Sequence, residues 1–403
     1  MAIDLESLYV DLHKHPELSF QEHRTAAIVA EHLENLGYEV QTGIGQTGVV
    51  GVLENGDGPA VLLRADMDGL PVLEATGLAY ASAERAIDHE GNDVPVMHAC
   101  GHDVHVTALI GAAEQLAEST EQWSGTVIAL FQPAEEHGGG AQAMVDDGLF
   151  DSIPAPAVVL GQHVGPFPAG VLALQSGVAM AAADSLRINL YGRGGHGSRP
   201  EAAIDPVLMA ANLTVRLQQI VSREVASTDS AVVTVGQLHA GTKSNIIPDD
   251  ATLGLSVRSF NPEVREQVLG AIERMAQAEA AAAGAERAPE VILEESFPLT
   301  VNNPDATART AQALASIAGP YGVVSPGPMA GSEDVSVLST ASSVPLVYWF
   351  LGGLDHDLFG DLTRGTVDTS VPANHSPLFA PVLQPTLSVG VAALVAAARE
   401  WLD

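Results

Sequence analysis

Five short stretches of this 403-residue chain concentrate side chains that can bind a cation or move a proton: "RADMDGLP" (64–71), "MHACGHDVH" (97–105), "PAEEHGGGA" (133–141), "GQHVGP" (161–166) and "PANHSPLF" (372–379). Cys100, the only cysteine, and His102 are spaced i, i+2. In an extended loop both would leave the backbone on one side and could share a metal. Two other readings stand beside this one. A free cysteine is commonly a small buried hydrophobe, and beside an imidazolium it could be a nucleophile. Glu135 and Glu136 follow an apolar run, where desolvating two carboxylates without a cation is costly. Neighbouring backbone positions send them different ways, so one can bind metal while the other stays free as a base; a solvated acidic loop is the alternative. The glycines after them are not a phosphate loop, because no Gly-Lys-Ser/Thr follows. His163 and His375 taken singly read as structural. Together with Cys100, His102 and Glu136 they make five nitrogen, sulfur and oxygen donors, suited to one or two zinc ions and poorly matched to an oxygen-only magnesium or calcium site.

The elements that must position these groups follow from the apolar pattern. "LESLYVDLHK" predicts a helix that stops before Pro16, and Ser19 with Glu22 forms a Ser-x-x-Glu capping box ahead of a second helix that ends at Gly37. Glu17 and Glu22 are thereby assigned to capping and solvation. Short apolar runs then alternate with helical stretches, the pattern of a mainly parallel sheet covered by helices. "VLLRA" leads into Asp66 and Asp68, "VIALFQ" into Glu135 and Glu136, and "AVVLGQ" into His163. Ligands in such sheets bind beyond the carboxyl ends of the strands, so these groups are expected to converge. From about Asp184 the order becomes β-α-β-β-α-β, a ferredoxin-like α+β module. The expectation is a discontinuous first domain of residues 1–183 plus 299–403, with 184–298 inserted.

Composition narrows the function classes. A chain this long exceeds the roughly 250–300 residues at which single cores stop growing. The sequence has 17 Lys plus Arg against 50 Asp plus Glu, a formal charge of −33, which disfavours nucleic acid and anionic lipid as partners. No uninterrupted apolar stretch of about 20 residues is present, and the N-terminus does not read as a secretory signal. A soluble, cytoplasmic protein is expected.

The ordered motifs "ADMDGLP", "MHACGHDVH", "PAEEHGGGA", "QHVGP", "GHGSRP", "NIIPDDA", "GSEDV" and "NHSPLF" resemble, over nearly the whole chain, the bacterial N-acyl-amino-acid amidohydrolases. These belong to the two-metal aminoacylase and carboxypeptidase family, in the branch with hippurate and auxin-conjugate hydrolases. The resemblance implies a zinc-peptidase-like catalytic domain with two divalent ions, zinc or manganese, on Cys100, His102, Glu136, His163 and His375, and Glu135 as general base. Asp66 stands where much of the family has a metal-binding His, and Asp66 and Asp68 are expected behind the ligands, orienting them. The inserted module resembles a lid and dimerisation domain. Within it, His196 would stabilise the oxyanion in the partner subunit of a homodimer, and Asn245 would be a further lid contact. Arg258 would hold the substrate carboxylate or form a plain internal ion pair. Glu333 and Asp334 would line the pocket. The implied activity is hydrolysis of N-acyl amino acids, with dipeptide, carboxypeptidase or carbamoyl substrates as alternatives on the same site; a non-catalytic metal- or peptide-binding relative would need part of this set to be missing.

Overall fold

The computed structural model of the protein describes residues 3–320, 322–359 and 371–402. The chain divides into two units, Met1–Ala179 with Val301–Gly327 and Asp334–Asp403, and Met180–Thr300 with Pro328–Glu333. The return of Pro328–Glu333 to the second unit is a feature that a simple insertion does not anticipate.

The first unit is built on an eight-stranded mixed sheet. Its order is Glu39–Ile44, Gly48–Asn55, Gly125–Gln132, Ala60–Asp66, Val158–Pro168, Leu346–Leu354, Leu172–Leu174 and Val323–Val324. The strands Ala60–Asp66, Gly125–Gln132 and Leu346–Leu354 are buried at every position. Such continuous apolar runs need cover on both faces, which is why the central pairings are parallel and joined through helices. Helix His102–Glu118 is buried at most of its positions, and helix Thr386–Leu402 packs against it. The mainly parallel mixed sheet read from the sequence is therefore observed, with antiparallel strands added at both margins. No helix among the described residues is long and apolar enough to cross a membrane.

The second unit is a four-stranded antiparallel sheet in the order Ala231–Ala240, Asp250–Ser259, Ala182–Tyr191, Glu290–Phe297. With helices Pro206–Gln219 and Pro262–Ala282 this is the split β-α-β-β-α-β arrangement. Both helices start by one device: Asp205 and Asn261 accept backbone N–H groups as N-caps, and a proline occupies the first turn. The unit has its own core, including Ile188, Leu213, Leu253 and Ile272.

The capping box expected at Ser19 and Glu22 does not form. Glu17 instead accepts the backbone N–H groups of Arg24 (2.9 Å) and Thr25 (2.8 Å) at the start of helix His23–Asn35. Its side chain reaches forward across the turn to the helix start, and Ser19 and Glu22 are buried.

One charged side chain lies inside the first sheet. Arg64, on a strand buried on both faces, must find its counter-charges internally. Its Nη1 donates to Asp66 Oδ2 (2.7 Å), Nη2 to Asp334 Oδ1 (3.3 Å) and Nε to Gln132 Oε1 (2.8 Å). Asp334 also accepts Gln132 Nε2 (2.6 Å) and the Ala141 N–H (3.0 Å). Removing one partner of such a network strands the others without water. Arg64→Met is expected to lose about 3–5 kcal/mol, seen as a lowered thermal midpoint; an unchanged midpoint would contradict this account of the network.

Candidate metal centre

The carboxyl ends of the parallel strands bring the sequence candidates of the first unit together. Asp66 ends its strand, Asp68 follows two residues on, and Glu135 and Glu136 follow Gln132, which pairs with Asp66. His163 differs from expectation. It lies within the strand Val158–Pro168, paired with Phe350, but beyond Gly161, the last residue paired with the Ala60–Asp66 strand. It thus sits where that neighbour has already ended.

Asp68 ties the pieces into one cluster. Its Oδ1 meets His102 Nδ1 (3.2 Å) and accepts the Glu135 N–H (3.2 Å), while Oδ2 accepts the Ser19 hydroxyl (2.7 Å) and the Glu136 N–H (3.0 Å). With Nδ1 held by Asp68, His102 turns Nε2 toward Asp66 Oδ2 (3.6 Å), Glu136 Oε1 (3.9 Å) and Glu135 Oε2 (4.0 Å). Among the described residues, buried His102 Nε2 and Glu136 Oε1 have no hydrogen-bond partner. Burial works against a charge on His102, yet Asp66, Asp68 and Glu136 outweigh it and push its pKa up to about 10. A field that strong for a proton at this nitrogen is also a field for a metal cation. The donors therefore fit a metal.

Asp66 has a partner on each oxygen. One oxygen takes Arg64, and the other takes His105 Nδ1. Burial would raise its carboxyl, but Arg64, His102 and His105 hold it well below the usual range. His105 Nε2 accepts the Val164 N–H (2.8 Å), so both of its nitrogens are used. His163 Nδ1 bonds the Val164 carbonyl (2.7 Å), leaving Nε2 to face Cys100 Sγ at 3.5 Å. Burial, followed by the neighbouring His105, holds His163 well below the usual imidazole value, a neutral ring with a lone pair to offer. The third histidine of "MHACGHDVH", His98, is buried too, and burial brings its pKa down to about 4.

Cys100 and His102 are not side by side on an extended loop. Gly101 between them is left-handed (φ +81°) and His102 begins a helix, so the two belong to adjoining donor groups. Cys100 groups with Glu136 and His375, and His102 groups both with Glu135 and Glu136 and with Asp66, His105 and His163. Glu136 joins them: its Oε1 faces His102 while Oε2 lies 3.3 Å from His375 Nε2. His375, also left-handed (φ +69°), is anchored by its N–H to Ala99 (2.8 Å), and Asn374 Nδ2 bonds the Cys100 and Val164 carbonyls (both 3.1 Å). Burial pushes the Cys100 thiol well above its usual value, and Glu136 and Glu135 add to this. That is the reverse of what a free nucleophilic cysteine needs.

Residues 62–361 match the family described as peptidase family M20/M25/M40. The chain belongs to that family. It is 36% identical to thermostable carboxypeptidase 2 of Saccharolobus solfataricus over 91% of this chain and 88% of that protein. It is 46% identical to hippurate hydrolase of Campylobacter jejuni over 65% of this chain and 66% of that one. The solved Bacillus subtilis YXEP protein, described as a dinuclear metal binding peptidase of family M20, superposes with a TM-score of 0.77 at 29% identity, covering 99% and 97% of the two chains. This M20 chain is a metallo-amidohydrolase.

Of the remaining candidates of the M20 chain, His196, Asn245, Arg258 and Glu333 lie in its second unit and Asp334 in its first. His196 pairs with Ile246 in a two-residue ladder, and the Gly197 N–H bonds the Asn245 carbonyl (2.9 Å), so His196 and Asn245 are neighbours. The Ser198 N–H donates to His196 Nδ1 (3.1 Å), which places the ring proton of the neutral form on exposed Nε2. Arg258 Nη1 donates to Ser332 Oγ (2.5 Å), and no ion pair of Arg258 with a carboxylate is seen among the described residues. Asp334 is buried in the Arg64 network.

Two glycines are dictated by the centre. A Cβ on Gly140 would lie 1.6 Å from the Pro133 carbonyl oxygen, so this glycine closes the turn bearing the glutamates. On Gly101 it would lie 2.3 Å from Val164 Cγ1, beside the carbonyl that orients His163. Gly101→Ala is expected to cost at least about 1–2 kcal/mol through its left-handed backbone alone and to lower bound metal per chain. Elemental analysis and a thermal melt check this; wild-type values in both would refute it.

Proposed function

We propose that this enzyme cleaves the amide bond of N-acyl amino acids, releasing a carboxylic acid and a free amino acid. It would use two divalent ions, zinc first and manganese second, held by Cys100, His102, Glu136, His163 and His375. The observation that carries the metal site is the pair of buried, unpartnered atoms His102 Nε2 and Glu136 Oε1 beside Glu135. Likeness to a hippurate hydrolase supports the substrate class.

When bound, such ions polarise a carbonyl and acidify water. Glu135 takes the proton of the attacking water and delivers it to the leaving nitrogen. Its backbone N–H is held by Asp68 and its carboxylate lies 4.0 Å from His102 Nε2. His196, with its proton on Nε2, donates to the oxyanion in the partner subunit's site, and Asn245 supports it. Arg258 receives the substrate carboxylate; its guanidinium is half-buried and meets no carboxylate among the described residues. Asp68, which meets His102 Nδ1, would orient that ring, and Asp66 would stand behind the donors.

A homodimer is part of this reading. The Ala231–Ala240 strand has an unpaired outer edge among the described residues, with Val232 and Leu238 exposed along it and Leu208 and Val215 exposed on the nearby helix. Sedimentation should give twice the chain mass, and mixing inactive Glu135→Gln with inactive His196→Ala chains should restore activity. A monomer with full activity would remove the shared-site proposal.

Glu135→Gln should keep its metal while kcat falls about 10²–10⁴-fold; wild-type turnover would exclude Glu135 as the base. Acyl-glycine, acyl-glutamine and dipeptide substrates, tested together, decide the class, and cleavage of dipeptides alone would replace N-acyl amino acids with the carboxypeptidase or dipeptidase reading. Activity should vanish in strong chelator and return with zinc or manganese. Activity that persists there would point to Cys100 as a nucleophile.

A further inference from the structure

Glu22 is buried and has no part in the chemistry described so far. It stands at the N-cap of helix His23–Asn35 yet makes no side-chain cap hydrogen bond, because Glu17 has taken the Arg24 and Thr25 N–H groups. Its carboxylate points elsewhere. Oε1 accepts the Ala134 N–H (2.8 Å) and the Phe20 N–H (2.9 Å), and Oε2 accepts the Thr47 hydroxyl (2.5 Å).

Ala134 is the residue before Glu135, and its backbone is left-handed (φ +47°). An L-residue there needs its surroundings to hold it. The next two N–H groups, of Glu135 and Glu136, go to Asp68. Three successive N–H groups thus converge on two buried carboxylates, Glu22 and Asp68, that come from separate segments of the chain, the backbone concavity that favours anions. The two carboxylates divide the work. Asp68 also holds His102, so it serves the metal donors, whereas Glu22 bonds none of them and, besides Phe20 and Thr47, reaches the turn ahead of Glu135.

We propose that Glu22 is a positioning residue for hydrolysis: by accepting the Ala134 N–H it holds the left-handed turn that aims the Glu135 carboxylate. The inference rests on the reading of Glu135 as the base. It predicts that the turn can be loosened without emptying the metal centre, because Asp68 still anchors Glu136.

The test uses metal-loaded full-length Glu22→Gln, Glu22→Ala and Glu22→Asp with an acyl-glycine substrate, reading kcat and KM separately, metal affinity by chelator competition, and the thermal midpoint. Glu22→Gln keeps the acceptor for Ala134 and can donate to Thr47 Oγ1, so its kcat should stay within about threefold of wild type. Glu22→Ala should lower kcat about 10–100-fold, the scale of an ångström-sized misplacement, with KM and metal affinity within about threefold. If Glu22→Ala does not fold, Glu22→Asp, which keeps the charge but withdraws it by one methylene, should show the same selective loss. Wild-type kcat in Glu22→Ala or Glu22→Asp, an equal loss in Glu22→Gln, or a parallel fall in metal affinity overturns the proposal. Glu135→Gln run alongside separates the two claims: if it stays active the base assignment fails, and if it is dead while Glu22→Ala is unaltered, only the positioning claim fails.

Discussion

Asp68 accepts hydrogen bonds from four groups on three segments that are far apart in sequence: the Ser19 hydroxyl, His102, and the backbone N–H groups of Glu135 and Glu136. A carboxylate removed from water must be compensated by donors or cations, and here the compensation assembles the site. Satisfying Asp68 fixes which nitrogen of His102 is held and which is presented, and it fixes where the two glutamates leave the backbone. The rest of the centre is the consequence. Glu135, Glu136 and Asp66 then crowd around one imidazole nitrogen, and that arrangement is stable only with a positive charge among them.

The sheet supplies the crowding and also its limits. Parallel strands ending at one edge deliver Asp66, Glu135 and Glu136 to the same level, and the longer strand through His163 reaches past them. Arg64, from the same strand as Asp66, balances the negative charge from below and occupies one Asp66 oxygen, while His105 occupies the other. Asp66 is therefore close to the donors and also bonded to Arg64 and His105. A second buried network, Glu74–His13–Asp103, fastens the first helix to the start of helix His102–Glu118 through His13 Nδ1 and Asp103 (2.6 Å) and His13 Nε2 and Glu74 (3.3 Å). Between two carboxylates, and against the effect of burial, His13 is pushed up to about 10. Nothing local in "LHKHPE" signals that role.

Much of the fold was legible because burial leaves a one-dimensional trace. Strands covered on both faces must be apolar throughout, and the β-α-β-β-α-β order of the second unit follows from alternating periodicities. The candidate donors were legible as types and as an ordered set. The errors have a common cause. Ser19 and Glu22 match a capping box by spacing, but spacing does not say whether an acidic side chain turns to its own helix or to a loop over a hundred residues away. Cys100 and His102 look adjacent until Gly101 turns left-handed between them. His98, His102 and His105 are equivalent in the sequence, and only their partners separate a neutral buried ring, a presented nitrogen and a ring with both nitrogens engaged.

The sequence by itself determined the class of the two units, the inventory of donors and the family to which the chain belongs. Those properties depend on residue type and order, which each position carries alone. The tertiary structure decided which donor atoms are left unpartnered, that Asp66 bonds Arg64 and His105, that Arg258 pairs with no carboxylate among the described residues, and that Glu22 accepts the Ala134 N–H. These are properties of pairs, set by hydrogen bonds between distant segments, and a hydrogen bond is specified by the positions of both partners.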